Sequence, residues 1–340
     1  MEINFIKELE KLKKPVWKEI QKYLPNKEPC GHYKMIKDYP TRQGKYFRPG
    51  LVLLSTQMFG GKIKDAILTA TAMQMSEDWL LIHDDIEDHS EERRHKPTLN
   101  ILHGDELAIN TGDALHILMW KVIGNNTQKM NSEKAWEVFN KLNEILLIAT
   151  EGQYLELKWI RDNKITVTEK EYLNMVKRKT AYYTVIGPLQ LGAIIAGADD
   201  KELKKIEEWG IPFGYAFQIW DDYMNLITSR ERQGKENAGD ILEGKRTLIL
   251  SHLIKNCSIK EKEKVSKIYF KKRIEKTESD KTYILKLMHK YKSMDYAREQ
   301  AKRFSQKALN IFEKNTSHLK DTKAKKIIKE GINFVSNREK

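Results

Sequence analysis

The sequence contains little cysteine, proline or glycine. Its 340 residues include two cysteines, Cys30 and Cys257, eight prolines and eighteen glycines. Two cysteines are too few for a disulfide framework or a cysteine-based zinc site, so a cytoplasmic location is expected. Charges interrupt the N-terminal segment at every second or third position, which leaves no apolar stretch resembling a signal peptide. We therefore expect a protein that is not exported.

Long apolar runs and common nucleotide-binding motifs are also absent. The longest weakly polar stretch, Val185 to Ala198, contains Gln190 and three glycines and is shorter than the roughly 18 to 20 residues that a membrane-spanning helix requires. No glycine-rich phosphate loop and no GxSxG nucleophile motif occurs. These absences predict no transmembrane segment and argue against nucleotide-loop and nucleophile-elbow chemistry.

Basic residues outnumber acidic ones, but only in one part of the chain. There are 61 lysines and arginines against 48 aspartates and glutamates, a net charge of +13. Residues 255–340 alone hold 25 basic and 11 acidic residues, so the whole surplus lies there. A solvated set of helices is the simplest interpretation, and peripheral contact with an acidic membrane surface is an open alternative. No recognition motif accompanies the charge, so no nucleic-acid partner is predicted.

Apolar residues recur at three- and four-residue spacing, as in Phe5, Leu9 and Leu12, which is the pattern of amphipathic helices. Strand-like alternation is missing, so the predicted fold class is all-α. Several helices are apolar on more than one face and belong inside a large bundle. Chain breaks are short, so residues 1–340 are expected to form one domain, with 255–340 as its basic C-terminal helical part. The predicted long helices cover 66–82, 135–157, 170–196 and 201–226.

Three aspartates directly follow the apolar run that ends at Ile82. Asp84 and Asp88 are four residues apart, which places them on one helix face about 6 Å apart along the axis, with Asp85 beside them. Carboxylates this close repel one another unless a cation lies between them, and Mg²⁺ prefers such oxygen ligands. The alternative is a solvated acidic turn at a helix end.

A second acidic pair makes a solvated acidic turn a less favoured explanation of the first. Asp221 and Asp222 again end an apolar helical run, with Asn225 four residues after the first of them. Two such clusters, more than 130 residues apart in the sequence, suggest facing walls of one cavity with metal ions between them.

Cationic residues in distinctive surroundings accompany the acids. Guanidinium forks and ammonium groups beside metal-bound carboxylates are typical of a site for highly anionic phosphates. The set comprises Lys45, Arg48, Arg93, Arg94, Lys179 (followed by Thr180), Lys235 and Lys245.

Between roughly residues 40 and 250 the sequence contains, in this order, the strings GKYFRP, DDIED with RR, GDELAINTGDAL, KT, FQIWDD and GKENAGDILEGKRT. Together these strings resemble those of the trans-isoprenyl diphosphate synthases, the polyprenyl synthetase family. The resemblance implies a bundle of antiparallel helices around a deep central cavity, usually as a homodimer. It implies a prenyltransferase that condenses isopentenyl diphosphate head-to-tail onto an allylic diphosphate, giving a linear all-trans polyprenyl diphosphate.

The resemblance also assigns roles to individual residues. Three Mg²⁺ ions would be held by the two acidic clusters, Asp84, Asp85, Asp88, Asp221 and Asp222. Isopentenyl diphosphate would be bound by Lys45, Arg48 and Arg94, and the allylic diphosphate by Arg93, Lys179, Gln218, Lys235 and Lys245, with Thr180 near the reacting carbons. The residues expected to carry catalysis are Asp84, Asp85, Asp88, Arg93, Lys179, Asp221 and Lys235.

Three positions depart from the family pattern. Glu77 stands seven residues before the first aspartate, where the family commonly has a histidine that contacts isopentenyl diphosphate. Its carboxylate would repel a diphosphate, so either it points elsewhere or affinity suffers. Asn225 replaces the last aspartate of the second motif, and its amide oxygen remains a neutral ligand. His95 replaces the usual glycine after the arginine pair.

Product length is argued from the helix that carries the first aspartates. The growing chain should run back along it, so Trp79 is the bulkiest stop, with the small Ser76 and Ala72 further down. An aromatic residue at this position resembles archaeal geranylgeranyl synthases and predicts a product of twenty carbons. A product of fifteen carbons (farnesyl) or a longer C25–C40 product is the alternative. Packing of Trp79 into a neighbouring helix, without effect on length, is a further alternative.

Other functions fit the sequence less well. A terpene cyclase would normally lack the aspartate pair of the second motif and the GKYFRP string. A non-catalytic partner subunit is disfavoured because both acidic clusters are intact.

Overall fold

The computed structural model describes residues 4–228 and 237–337. These residues are helical almost throughout, which confirms the predicted fold class. The N-terminal half contains α1 (Phe5–Ile20), α2 (Cys30–Arg42), α3 (Phe47–Met58), α4 (Ile63–Glu87), α5 (Leu99–His103), α6 (Asp105–Gly124) and α7 (Ser132–Arg161).

The rest of the described chain continues as helices joined by short turns. It contains α8 (Glu169–Val176), a π-helical segment (Lys177–Ile186), α9 (Gly187–Ala196), α10 (Asp200–Ile227), α11 (Gly239–Glu243), α12 (Leu248–Asn256), α13 (Ile259–Tyr269), α14 (Glu278–Lys290), α15 (Ser293–Asn315) and α16 (Lys323–Asn337). Single 3₁₀ turns lie at Gln21–Tyr23, Asn125–Gln128 and Arg273–Glu275. Many helices begin at a side-chain cap, as at Asn131, Thr168 and Asp199, which satisfies backbone N–H groups that lack helical partners.

The helices that are apolar all round occupy the centre. Every residue of α9 from Gly187 to Ile195 is buried, and α4 buries side chains on all its faces between Ala66 and Ile82. The flanking helices α3 and α6 pack on α4, and α15 packs along α10. A helix without a polar face is stable only when neighbours cover it. The ends of α4 and α10, which carry the aspartates, are therefore held by rigid central elements.

The predicted helix 170–196 is interrupted. Its middle, Lys177–Ile186, is π-helical and lies between α7 and α10. A Cβ on Gly152 of α7 would lie 2.3 Å from the backbone N of Lys179, and one on Gly214 of α10 would lie 2.3 Å from the Cβ of Ala181. Both helices thus touch this segment's backbone through a glycine. Wider π turns often occur at functional sites.

A short β-hairpin, with two residues in each strand, departs from the all-helical prediction. Strands β1 (Glu92–Arg93) and β2 (Lys96–Pro97) pair antiparallel around Arg94 and His95. These two turn residues have φ of 54° and 63°, the left-handed conformation of a type I′ turn, which favours glycine. The turn requires positive φ at His95, so the side chain there costs about 1 kcal/mol relative to glycine.

The basic C-terminal part packs onto the rest of the bundle. Helix α15 lies along α10, and α16 contacts α1 and α3 near the N-terminus. Apolar residues of α15 and α16, such as Phe312 and Ile332, belong to the same buried core as Phe5 of α1. None of the helices in the described ranges has both the length and the apolar character needed to span a bilayer.

Candidate active site

The first aspartate cluster lies at the C-terminal end of α4. Asp88 is the C-cap residue, and its backbone N–H donates to the Asp84 carbonyl at 2.8 Å. Asp85 and Asp88 are buried, whereas 22 % of the Asp84 side chain remains exposed. The three carboxylates are neighbours, as the spacing predicts, and cationic side chains contact each of them.

Asp85 anchors the hairpin to α4. Nε of Arg93 donates to Asp85 at 2.8 Å, and the hydroxyl of Tyr39 donates to its other oxygen. Nη2 of Arg93 also reaches Asp84, at 3.4 Å. A buried carboxylate is tolerated only when it is paired and hydrogen-bonded. Asp85 therefore fixes Arg93 so that one edge of the guanidinium faces Asp84.

Lys179 connects α4, α7 and the π-helical segment. Its Nζ lies 3.6 Å from Asp84 and is also paired with Glu156 of α7. Burial alone would lower the pKa of Lys179, but the charges of Glu156 and Asp84 outweigh burial and raise it. Gln153, one turn earlier on α7, donates to Glu87 at 2.6 Å. Lys179 is therefore a fully charged cation next to the most exposed aspartate of the cluster.

Lys245 plays the corresponding part at Asp88. Its Nζ lies 2.9 Å from Asp88 and 2.8 Å from Glu243. Burial raises the pKa of Asp88, Lys245 opposes this increase, and repulsion from Asp84 and Glu243 adds to it. Removing the ammonium group would leave two carboxylates facing each other without compensation.

The second aspartate motif lies at the end of α10. Asp222 is buried and accepts hydrogen bonds from the Tyr172 hydroxyl at 2.7 Å and from Nε2 of Gln218 at 2.8 Å. Gln218 in turn accepts from the Thr180 hydroxyl at 2.5 Å. Burial raises the pKa of Asp222, while these two hydrogen bonds lower it in part. The KT pair and the second motif thus form one connected network.

Asp221 and Asn225 have different surroundings. Asp221 is exposed. It lies near the C-terminal end of α10, after the buried apolar residues of that helix, as the sequence predicts. Asn225 accepts a hydrogen bond from the backbone N–H of Asp240 at 3.2 Å. Its side chain therefore helps to position the first turn of α11 through its acceptor oxygen.

The two arginines predicted to bind isopentenyl diphosphate meet at Glu77. Arg48 lies 3.0 Å and Arg94 3.3 Å from the Glu77 carboxylate. Arg94 also donates to the buried Asp78 at 3.0 Å. Lys45 is exposed in the loop before α3. The structure thus brings Arg48 and Arg94 together, and Glu77 points at them.

The three residues predicted to form the chain-length floor are buried in α4. Trp79 stacks on His116 of α6, with ring centroids 4.5 Å apart. The Ser76 hydroxyl lies 3.0 Å from that of Tyr183, and Ala72 is fully buried. Trp79 therefore packs into a neighbouring helix, and its role in product length remains a prediction.

A cleft of about 940 Å³ opens beside the first cluster. Glu87 and Asp88 line one side, and Arg273 and Lys276, which follow α13, line another. The cleft opens the Asp88 end of the cluster to solvent.

The family model for polyprenyl synthetases matches residues 31–288. The chain belongs to the polyprenyl synthetase family. It is 32 % identical over 270 residues to geranylgeranyl diphosphate synthase of Sulfolobus acidocaldarius, covering 79 % of this chain and 80 % of that protein. It is 36 % identical over 229 residues to the short chain isoprenyl diphosphate synthase of Methanothermobacter thermautotrophicus, covering 67 % and 68 %.

Solved structures agree with this assignment. The crystal structure of geranylgeranyl pyrophosphate synthetase from Pyrococcus horikoshii superposes with a TM-score of 0.86 at 33 % identity, covering 98 % of each chain. The family and the fold inferred from the sequence are both confirmed, and family membership identifies the chain as a trans-prenyltransferase.

Within this polyprenyl synthetase, most of the predicted site residues fall into two networks. Asp84, Asp85, Asp88, Arg93, Lys179 and Lys245 form the first, and Thr180, Gln218 and Asp222 form the second. Glu156 lies between them, because it pairs with Lys179 and its charge also acts on Asp222. Lys235 lies outside the described residues.

The donor set is suited to magnesium. Among the described residues, no three acidic, histidine or cysteine side chains are arranged as a ready-made metal site, because the aspartates are paired with lysine and arginine instead. The available ligands are carboxylate oxygens, of which those of Asp84 and Asp221 reach solvent, and Mg²⁺ binds such oxygens together with substrate phosphates and water.

Sequence reasoning missed four supporting residues, Tyr39, Gln153, Glu156 and Tyr172. Each makes its contact with an element distant in sequence, so local spacing does not reveal it. Glu156 left one usable signal, a carboxylate in the buried stripe of α7, since unpaired buried carboxylates are rare.

Proposed function

We propose that this polyprenyl synthetase condenses isopentenyl diphosphate with an allylic diphosphate in a Mg²⁺-dependent reaction, and that its product is geranylgeranyl diphosphate. Two observations support the product: several relatives are named geranylgeranyl diphosphate synthase, and the bulky Trp79 lies one and a half turns before Asp84. Farnesyl diphosphate and a C25–C40 product are the alternatives.

One observation carries the proposal. Lys179 and Thr180 join the two aspartate motifs, because Lys179 contacts Asp84, and the hydroxyl of Thr180 donates to Gln218, which in turn donates to Asp222. The KT pair thus links the aspartates at the ends of α4 and α10, and partly buried cations contact the first cluster, an arrangement suited to binding a metal–diphosphate complex.

Three Mg²⁺ ions would be held by Asp84, Asp88 and Asp221, with Asp85 and Asp222 adjoining. Their positive charge would neutralise the negative charge of the leaving diphosphate. Arg93, Lys179 and Lys245 stand beside these carboxylates and would donate hydrogen bonds to the same phosphate oxygens. Thr180, held by Gln218, would orient the substrate near the reacting carbons. The apolar walls of the central helices exclude water from the carbocation.

We further propose that the polyprenyl synthetase acts as a homodimer of single-domain chains. Large apolar side chains are exposed on α6 and α7, including Ile117 (69 %), Trp136 (63 %) and Leu147 (60 %). Exposed apolar area of this kind marks interaction sites. Sedimentation of wild type and of the variant Ile117→Glu tests the homodimer, and a monomeric wild type would refute it.

Cytoplasmic location of the protein and peripheral membrane contact of its basic C-terminal part stay predictions.

The test of the catalytic proposal is a product assay. Purified protein is incubated with Mg²⁺, labelled isopentenyl diphosphate and either dimethylallyl, geranyl or farnesyl diphosphate, and chain lengths are read after dephosphorylation. Asp84→Ala should lower turnover by at least 100-fold, because it removes a charge that stabilises the leaving group.

Asp65→Ala is the matched control. Asp65 lies in the first turn of the same helix, about 28 Å from Asp84 at 1.5 Å per residue, so its removal should leave turnover unchanged. Normal turnover in Asp84→Ala would refute the metal assignment. No elongation by wild type with any starter would favour a non-catalytic partner subunit.

A further inference from the structure

Glu77 occupies the space between two arginines as an anionic ligand would. One carboxylate oxygen lies 3.0 Å from Nη1 of Arg48, and the other lies 3.3 Å from Nη2 of Arg94. Arg48 comes from α3 and Arg94 from the hairpin turn, so the two guanidinium groups approach Glu77 from different elements. A phosphate group bridges two arginines with the same donor pattern.

The surroundings of the arginines show a site that is only partly satisfied. Within the described residues, Nε of Arg48 is buried without a hydrogen-bond acceptor, although the guanidinium stacks on Tyr183 at 4.6 Å. The Arg94 group also donates to Asp78 and to the Tyr39 carbonyl, at 3.0 and 3.1 Å. A larger anion with more oxygens could accept from Arg48 Nε as well, which the single carboxylate does not.

The charges of the two arginines are balanced by carboxylates before any substrate binds. Arg48 and Arg94 supply two positive charges, and Glu77 and Asp78 supply two negative ones. The side chains of Arg48, Glu77 and Arg94 are 22 %, 13 % and 15 % exposed, so water screens these charges only in part. An incoming diphosphate must therefore compete with Glu77 for the guanidinium groups of Arg48 and Arg94.

We propose that Glu77 is a specificity-determining residue that competes with the diphosphate of the acceptor substrate and so weakens its binding. This inference rests on the proposed function, because Arg48 and Arg94 face isopentenyl diphosphate only if the chain catalyses that condensation. The allylic diphosphate binds beside Asp84 and Asp88, two turns further along α4, so Glu77 acts selectively on one of the two substrates.

The test is the isosteric substitution Glu77→Gln. The amide keeps one acceptor for an arginine but removes the negative charge, so both guanidinium groups become available to a diphosphate. We expect isopentenyl diphosphate to bind at least 10-fold more tightly in calorimetry without allylic substrate, and its KM to fall by a similar factor, while the KM of the allylic substrate changes less than 2-fold. Unchanged or weaker binding of isopentenyl diphosphate would overturn the proposal.

Two further variants complete the test. Glu144→Gln removes one charge from an exposed ion pair on α7 and should leave both KM values unchanged; a tightening equal to that of Glu77→Gln would assign the effect to net charge and overturn the proposal. If Glu77→Gln does not fold, Glu77→His carries the same test, because a neutral imidazole also removes the carboxylate charge that faces Arg48 and Arg94. Calorimetry separates this inference from the proposed function, since binding is measured even where no product forms.

Discussion

A methyl group added at Gly152 should disturb both folding and catalysis. Gly152 of α7 contacts the backbone of the π-helical segment, and a Cβ there would lie 2.3, 2.7 and 2.8 Å from the N, Cα and Cβ of Lys179. Ordinary contact requires at least 3.4 Å, so in Gly152→Ala the two backbones must separate by about 1 Å in a close-packed interior. The cation that contacts Asp84 and Glu156 would move with its backbone.

The expected magnitudes follow from this displacement. Overpacking costs about 1 to 3 kcal/mol, which exceeds the gain of about 1 kcal/mol that alanine brings to a helix. Misplacing a catalytic group by about 1 Å can cost 100-fold in rate. We therefore expect Gly152→Ala to lower the free energy of unfolding by up to about 2 kcal/mol and turnover by 10- to 100-fold.

Thermal or urea unfolding and the product assay measure these two effects, and Gly124→Ala is the control. Gly124 ends α6 with a helical φ of −60°, and nothing lies within 4 Å of a Cβ built there. Alanine should stabilise the protein at this position by about 0.5 to 1 kcal/mol without changing turnover. The reasoning fails if Gly152→Ala unfolds and turns over like wild type, or if the two variants behave alike.

Two more predictions concern product length and pH. Trp79→Ala removes the indole that stacks on His116 and should extend the product beyond twenty carbons. The reason is that burying one more isoprene unit in the space released contributes about 4 kcal/mol of binding free energy. An unchanged chain length would show that Trp79 only packs. Burial, with repulsion from Arg246 and Arg273, lowers the pKa of Lys276 from 10.5 to about 8. Between these pH values the unfolded chain holds more protons, so the free energy of unfolding should rise with pH, by on the order of 1 to 3 kcal/mol. Urea unfolding at pH 7 to 10.5 measures this rise, and Lys276→Met should lack it; equal slopes in both proteins would contradict the assignment.

The parts of the site that the sequence could predict are those fixed by local spacing. Asp84, Asp88 and Asp222 lie where the helical period puts them, because α4 and α10 are long apolar helices whose register is set by burial. The cations Lys179 and Lys245 could be singled out because each stands in an unusual string. Helix periodicity and motif context act over a few residues, and a sequence displays both directly.

The parts that the sequence could not predict depend on contacts between distant elements. Tyr39 reaches Asp85 across 46 positions, and Tyr172 reaches Asp222 across 50. The π-helical interruption of 170–196 was missed for a related reason: it fits between glycines of two other helices, whereas the local apolar pattern is that of one continuous helix. Tertiary packing, which the local pattern does not contain, decided each of these features.

Charge pairing explains how so many ionisable groups remain together in one site. Lys179 and Arg93 contact Asp84, and Lys245 contacts Asp88, so these three cations, all predicted to bind the allylic diphosphate, are paired with carboxylates predicted to bind metal. When a magnesium–diphosphate complex binds, the metal would take the carboxylates and the phosphate oxygens would take the cations. Asp84, Asp88 and the three cations would then keep opposite partners throughout, which avoids the cost of several kcal/mol for leaving an unpaired charge in the interior. The side chains need only exchange partners at a common centre, because the central helices already aim them there.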